Sequence, residues 1–326
     1  MGRFDTTRLV RAIGRYGVLL ALLVLILFGW LRYENFLGSY NVLSVLRYNS
    51  MFALVALGMC FVIITGGIDL SVGSTAALGS VVAALLSPYG VLPGLLGGLA
   101  AGLAVGAINA FVIIRLNILP FIATLATMLA ASGCALLLAN NQSVSVSYES
   151  GFTELGQGDF LGFPIPAWIG LVAYLAGSVI LNLTAFGRTV LAVGGNEDAT
   201  RLMGLPTTRV KAAVYILSGA LAGLAGVILA AQFGAGQPIE GVGWELFAIA
   251  SVVVGGTLLT GGVGSVGSTL AGVLLLGLIF NILNFENGLG WISLSAYWQS
   301  VIRGALLLVV VAIQARLVAR SDDVHA

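Results

Sequence analysis

Ten apolar runs, parted by short polar or glycine–proline breaks, constrain this chain more than any other feature. They lie roughly at Tyr16–Leu31, Leu43–Thr65, Ser74–Leu86, Leu92–Ile114, Leu119–Ala139, Ala167–Leu183, Ala212–Ala231, Trp244–Leu259, Gly267–Leu283 and Tyr297–Ala315. A helix needs about 20 apolar residues to cross a ~30 Å hydrocarbon core, so ten helices take about 200 positions. The chain has 326 residues, 59% of them hydrophobic, which meets that demand. Only 8% are charged, whereas soluble domains run near a quarter. The expected fold is all-α: one polytopic membrane domain over residues 1–326, with lipid as its solvent and about ten transmembrane helices.

Scarce residues exclude several chemistries. The only lysine, Lys211, follows Val210, so there is no GxxxxGK[ST] phosphate loop and no ATP hydrolysis by that device. The only histidine, His325, lies in the C-terminal tail, which excludes His-ligated zinc and His-based triads. No catalytic residue, metal or cofactor is expected in this chain. Cys60 and Cys134 fall inside apolar runs and read as small hydrophobes. A net charge of +1 gives no reason to expect nucleic acid as a partner. The first apolar run is long and lacks a small-residue cleavage site, so it reads as a retained span.

Basic loops stay cytoplasmic. With the N-terminus inside, Arg3, Arg8, Arg11, Arg15, Arg115, Arg188, Arg201, Arg209, Lys211, Arg316 and Arg320 fall on that side. Only Arg32 and Arg47 fall on the other, and Arg303 lies within the last span. Both termini are then cytoplasmic. The one long polar connection, about 140–166, lies outside with Glu149, Glu154 and Asp159.

Many of the 45 glycines recur at spacings of four or fewer, as in Gly94, Gly97, Gly98, Gly102 and Gly106, a pattern that lets helices pack backbone to backbone. Two clusters differ. Thr65-Gly66-Gly67-Ile68-Asp69-Leu70-Ser71-Val72-Gly73-Ser74-Thr75 and Thr260-Gly261-Gly262-Val263-Gly264-Ser265-Val266-Gly267-Ser268-Thr269 align as TGG…SVGST with one deletion. Such breaks mark discontinuous helices in transporters with internal repeats. The topology relates the two in parallel; an inverted relation requires one to be re-entrant, and the sequence leaves both open. Asp69 stands between apolar spans, where a charge needs a partner or water. It reads either as a carboxylate capping the helix that opens at Ser71 or Ser74, or as a substrate or proton-relay group. Glu245 sits at a helix start, where acidic residues are favoured.

In the fifth run Phe121, Thr124, Met128 and Ser132 share a helical face, with Thr127 adjacent. They read as a weakly polar lining, or as threonines bonded back to their own helix. The loop of about 187–211 contains Gly194-Gly195-Asn196-Glu197-Asp198-Ala199-Thr200-Arg201-Leu202-Met203-Gly204-Leu205-Pro206. Asn196 caps a short helix, Glu197 and Asp198 fill its first turn, and Gly204 and Pro206 end it. With Arg201, Leu202 and Met203 displayed, this reads as a contact for a cytoplasmic partner, or as an ordered linker.

Phe61-Val62-Ile63-Ile64 followed by Thr65–Ser74 resembles the signature of permease subunits of ABC-type monosaccharide importers, the ribose, xylose and galactose class. Pro120–Met128, Gly195–Gly204 and Gly243–Thr257 match in order, so the resemblance runs from about Asn41 to Gln314. Gly241–Phe285 is most similar to one of the paired permeases of galactofuranose-type importers. The pattern departs at Ala126, Ser132, Phe247 and Thr200, where the family usually has Gly, a nearby Arg, Asp and Ala. The resemblance implies a multi-pass protein of the bacterial inner membrane. It implies a second permease, identical or different, and a cytoplasmic ATPase that carries the ATP and Mg and clamps the coupling loops. It also implies an extracytoplasmic sugar-binding protein. The competing readings are uptake of branched-chain amino acids or nucleosides within the family, and a proton-coupled secondary transporter titrating Asp69 or Glu245.

Overall fold

The computed structural model describes residues 6–288 and positions 298, 301, 302, 304, 305 and 308. The candidate span Tyr297–Ala315 lies largely outside the described residues, as do Arg3, Arg303, Arg316, Arg320 and His325. The helices are α1 (Thr6–Arg32), α2 (Ser39–Ile64), α3 (Val72–Leu86), α4 (Val91–Arg115), α5 (Pro120–Leu138), α6 (Glu154–Gln157) and α7 (Ile165–Leu183). After them come α8 (Ala185–Gly195), α9 (Glu197–Leu202), α10 (Thr207–Phe233), α11 (Trp244–Val254) and α12 (Val266–Gly288). Four two-residue strands, β1 (Val144–Ser145), β2 (Asp159–Phe160), β3 (Phe163–Pro164) and β4 (Ala235–Gly236), complete the described elements.

Seven of these helices are long and apolar enough to cross a membrane: α2, α3 with its 3₁₀ extension to Tyr89, α4, α5, α7, α10 and α12. The apolar part of α1, Gly17–Arg32, is shorter. The expected span Trp244–Leu259 is corrected, because α11 has only 11 residues, about 16 Å of helix, or half a bilayer.

Buried α2 and α10 form the centre, while α5 and α7 turn large apolar side chains such as Leu129, Leu137, Val172 and Leu175 outward. That pattern suits lipid, which costs an apolar side chain nothing. Glycines decide how closely the central helices approach. Gly98, Gly102 and Gly106 of α4 face Gly219 and Gly223 of α10, and a Cβ on Gly102 or Gly219 would collide with the other's carbonyl oxygen. The four-residue spacing in the sequence thus becomes a groove in each helix that receives the partner's backbone.

The connection 140–164 packs on one end of this core. β1 pairs antiparallel with β4 (Val144↔Gly236), β2 pairs with β3, and Gly156 lies against Gln232 at the end of α10. Arg47 of α2 bridges to Asp159 at 2.6 Å. The opposite end carries Arg115, Arg188, Arg201, Arg209 and Lys211, and is called the basic face below.

Candidate functional site

The first helix break folds around Asp69. After α2 ends, Thr65 donates its hydroxyl to the Val62 carbonyl (2.7 Å) and the chain turns back into the core. Asp69 is fully buried. Its Oδ1 accepts from the Ser71 amide (3.0 Å) and hydroxyl (2.6 Å), and its Oδ2 accepts from Ser218 of α10 (2.8 Å). Asn109 of α4 donates to the Ser71 hydroxyl (2.9 Å), and Thr127 of α5 donates to Asn109 Oδ1 (2.5 Å). Asp69 therefore forms an Asx-type turn just before α3 instead of capping its second or third amide. Among the described residues no basic side chain pairs with it. The knot joins three neighbouring helices to the break, and buried polar groups of this kind are costly when stranded.

A direct prediction follows from that geometry. Asp69→Asn keeps an acceptor and is expected to assemble close to normally. Asp69→Leu strands the Ser71 amide and the Ser71 and Ser218 hydroxyls, at about 1–3 kcal/mol for each donor left unmet. The yield of monodisperse protein in detergent measures the difference. Equal yields for the Leu and Asn variants would show that the knot does not hold the break.

The second break is reached by a re-entrant route. Beyond α10, Gly236 packs against Ser80, Val81 and Ala84 of α3, and the Gln237 amide donates to the Ser80 hydroxyl (3.0 Å). Gly241 then lies backbone to backbone on Gly73, seven residues or about 10 Å further along α3. Gly241 has φ +76 and no room for a side chain, which is why glycine stands there. From this depth α11 starts beside the middle of α2, with the Phe52 and Trp244 rings 4.7 Å apart. It runs toward the basic face. Irregular backbone is tolerated at such depth only where protein encloses it, and α3 does so here.

At that face the two TGG motifs touch. The Gly262 amide donates to the Ile64 carbonyl at the end of α2 (2.9 Å), and Gly261 approaches the Gly66 amide. Gly194 and Gly195, at the end of α8, close the same junction against Ile64 and Gly262. Both breaks open on one end of the bundle. They differ in what precedes them, a 26-residue helix in one and a re-entrant half-helix in the other.

The chain leaves this junction directly into α9. Asn196 Oδ1 accepts from the Ala199 amide (2.9 Å), Gly204 ends the turn at φ +78, and Lys211 of α10 holds Glu197 at 2.9 Å. Arg201 lies 3.5 Å from Glu197. Leu202 is 89% exposed and Met203 67%.

A groove lies on the other half of α2. Tyr40, Ser44, Tyr48, Asn49 and Phe52 of α2, Trp244 and Phe247 of α11, and Phe280, Asn281 and Asn284 of α12 line about 340 Å³. Its mouth is braced by a reciprocal amide pair between Asn41 and Asn281 (2.8 and 3.2 Å). Beside it Tyr33 donates to Glu286 (2.6 Å), and burial with that carboxylate pushes the phenol up to about 12.

The expected α5 lining is divided by the structure. Thr124 is fully buried and donates to the Pro120 and Ile68 carbonyls (2.9 and 3.3 Å), while Thr127 belongs to the Asp69 knot. Phe121 is 54% exposed, and Met128 and Ser132 are half-buried. The groove residues of α2 and α12 had no local motif to announce them: they sit at helical spacing on apolar runs more than 200 positions apart, and only Trp244 and Phe247 fall in a stretch the sequence marked.

Residues 41–311 match the family described as the permease component of the branched-chain amino acid transport system. The ribose import permease protein of Bacillus subtilis (strain 168) is 40% identical over 300 residues, 91% of each chain. That of Escherichia coli (strain K12) is 40% identical over 302 residues, 90% of this chain and 91% of its own. The L-arabinose transport system permease protein of the same strain is 37% identical over 299 residues, 91% and 89% of the two chains. No solved structure matches significantly. With the family model covering residues 41–311 and the ribose permeases 40% identical over nine-tenths of its length, this chain belongs to the family of multi-pass membrane permease components of ABC importers.

Proposed function

We propose that this chain is the membrane-spanning subunit of an ATP-driven importer that passes a monosaccharide, handed over outside the cell by a soluble sugar-binding protein. The carrying observation is the junction of Gly194 and Gly195 with Ile64, Gly261 and Gly262. It sets an exposed helix directly on both helix breaks, so a subunit that pushes on α9 acts on both at once. The relatives that align over nine-tenths of the chain are named for ribose and arabinose, which supports the sugar class.

In this reading the basic face is cytoplasmic, because arginine-rich loops stay inside. The acidic connection 140–164 then faces outward, where the binding protein docks. α1, α11 and a last helix near Tyr297–Ala315 bring the count to about ten, with both termini inside. Asn196, Glu197, Arg201, Leu202, Met203 and Gly204 form the coupling helix for a separate ATPase, which holds the ATP and Mg. A second permease, a copy of this chain or a different one, completes the passage. ATP binding closes the ATPase pair and shifts the permease pair between inward- and outward-open states. Of the α5 face, Phe121, Met128 and Ser132 stay accessible to the path, Thr127 acts through the knot, and Thr124 holds the Ile68 carbonyl at the break.

Affinity purification of the tagged chain from native membranes in mild detergent tests the assembly. It is expected to recover a subunit carrying a GxxxxGK[ST] loop, and an untagged second permease. A chain that purifies alone while transport persists would contradict the reading.

A further inference from the structure

We propose that the groove between α2, α11 and α12 is the outward half of the sugar path in this subunit, and that it accepts an uncharged monosaccharide laid with one face on an aromatic floor. The inference rests on the importer reading. Its own support is the size, depth and chemistry of the lining.

At about 340 Å³ the groove is at the small end of ligand pockets, ~300–1,000 Å³, which suits one sugar ring better than a longer ligand. The floor is built from Phe52, Trp244 and Phe247, with ring centroids 4.7 and 4.6 Å apart from Phe52 outward, and Phe247 continues to Phe280 at 5.9 Å. Above it stand the hydroxyls of Tyr40, Ser44 and Tyr48 and the amides of Asn281 and Asn284. A sugar ring has the matching division. Its C–H face is apolar and buries well against aromatic rings. Its rim of hydroxyls donates and accepts, and hydroxyl and amide groups do both in return.

Interfacial aromatic belts do not account for the floor. Such belts sit at headgroup level, whereas Phe52 lies twelve residues below Tyr40 on α2, about 18 Å down. That depth is the middle of the bilayer, where α11 begins. Charge sharpens the substrate class. None of the described residues lining the groove is Asp, Glu, Lys or Arg, and the Glu245 carboxylate is turned toward Gly73 of α3. A zwitterionic amino acid or a phosphorylated sugar would leave its charges unpaired there, which is costly. The floor also belongs to the element that has to move. Trp244 and Phe247 are on α11, whose far end runs into the glycine junction behind the coupling helix.

The test uses the whole importer in right-side-out vesicles, with Cys134→Ser as background and Val45→Cys, at the groove's edge and outside its hydroxyls and aromatic floor, as the probe position. A membrane-impermeant thiol reagent labels from outside while D-ribose, L-arabinose, D-xylose, D-galactose, L-leucine or D-ribose 5-phosphate is present. ATP-driven uptake of each compound is measured in the same vesicles. The sugar that accumulates is expected to slow labelling about threefold at twice its Kd, because labelling follows the unoccupied fraction. Tyr89→Cys, exposed at the turn between α3 and α4 and outside the acidic connection, is expected to label at an unchanged rate, and leucine and the phosphorylated sugar to protect neither position. Unchanged Val45→Cys labelling beside normal sugar uptake would overturn the groove assignment and leave the importer reading intact. Protection by leucine would overturn the substrate class. Absence of ATP-driven uptake of every sugar would overturn the importer reading itself.

Discussion

Replacing Leu202 and Met203 together by aspartate is expected to release the ATPase from the complex. Both side chains are largely exposed on α9, yet they are the apolar pair that a partner groove can bury. Buried apolar anchors carry most interface energy, while rim charges mainly steer. Burying even an uncharged polar group unpaired costs about 2–7 kcal/mol, and a carboxylate costs more, so two of them lower affinity by several orders of magnitude. Arg201→Ala is expected to cost less and to depend on salt, since its Glu197 partner is on the same exposed helix. Docking of the sugar-binding protein outside should persist. Pull-down from detergent extracts reads the outcome, and full ATPase recovery with the double aspartate variant would place the contact elsewhere.

Gly102→Leu is expected to prevent assembly of the membrane domain. Its Cβ would meet the Gly219 carbonyl and the Gly223 backbone, neither of which can rotate away. α4 and α10 must then separate, with their neighbours α2 and α3. Overpacking against a flexible side chain costs about 1–3 kcal/mol, and collision with main chain exceeds that range. Gly133→Leu on α5 is the control, because nothing lies within 4 Å of its Cβ position. Size-exclusion profiles of the two variants in detergent separate them: loss for Gly102→Leu, a normal peak for Gly133→Leu. A normal peak for both would mean that α4 and α10 do not pack through their glycines.

What the sequence disclosed and what it hid follow from where each signal resides. Long apolar runs read directly as helices, because a span needs nothing beyond length and composition. The brevity of α11 was hidden, since the apolar run continues through Leu258 and Leu259 after the helix has stopped. There the Leu258 amide turns to the Val263 carbonyl (3.2 Å). The re-entrant approach was hidden for the opposite reason. The stretch from Ala231 to Trp244 falls between two expected spans with no motif of its own, and only the contacts of Gly236 and Gly241 with α3 show how deep the chain returns. The cap of α9 was legible, as Asn196 and Gly204 are local signals. Thr124 was legible on a shared face with Thr127 beside it, but their partners, the Ile68 carbonyl for one and Asn109 of the Asp69 knot for the other, are tertiary. The groove drew on Tyr48, Asn49 and Asn281, each unremarked in its own segment.

ATP-dependent sugar uptake in the presence of an ionophore tests the central claim most directly. The complex is reconstituted with its ATPase and binding protein, and the proton gradient is collapsed. Uptake is expected to continue as long as ATP and Mg are supplied to the ATPase, and to stop when either is withheld. Uptake that survives without ATP and vanishes with the ionophore would contradict the account. It would make Asp69 or Glu245 the titrating group of a proton-coupled carrier.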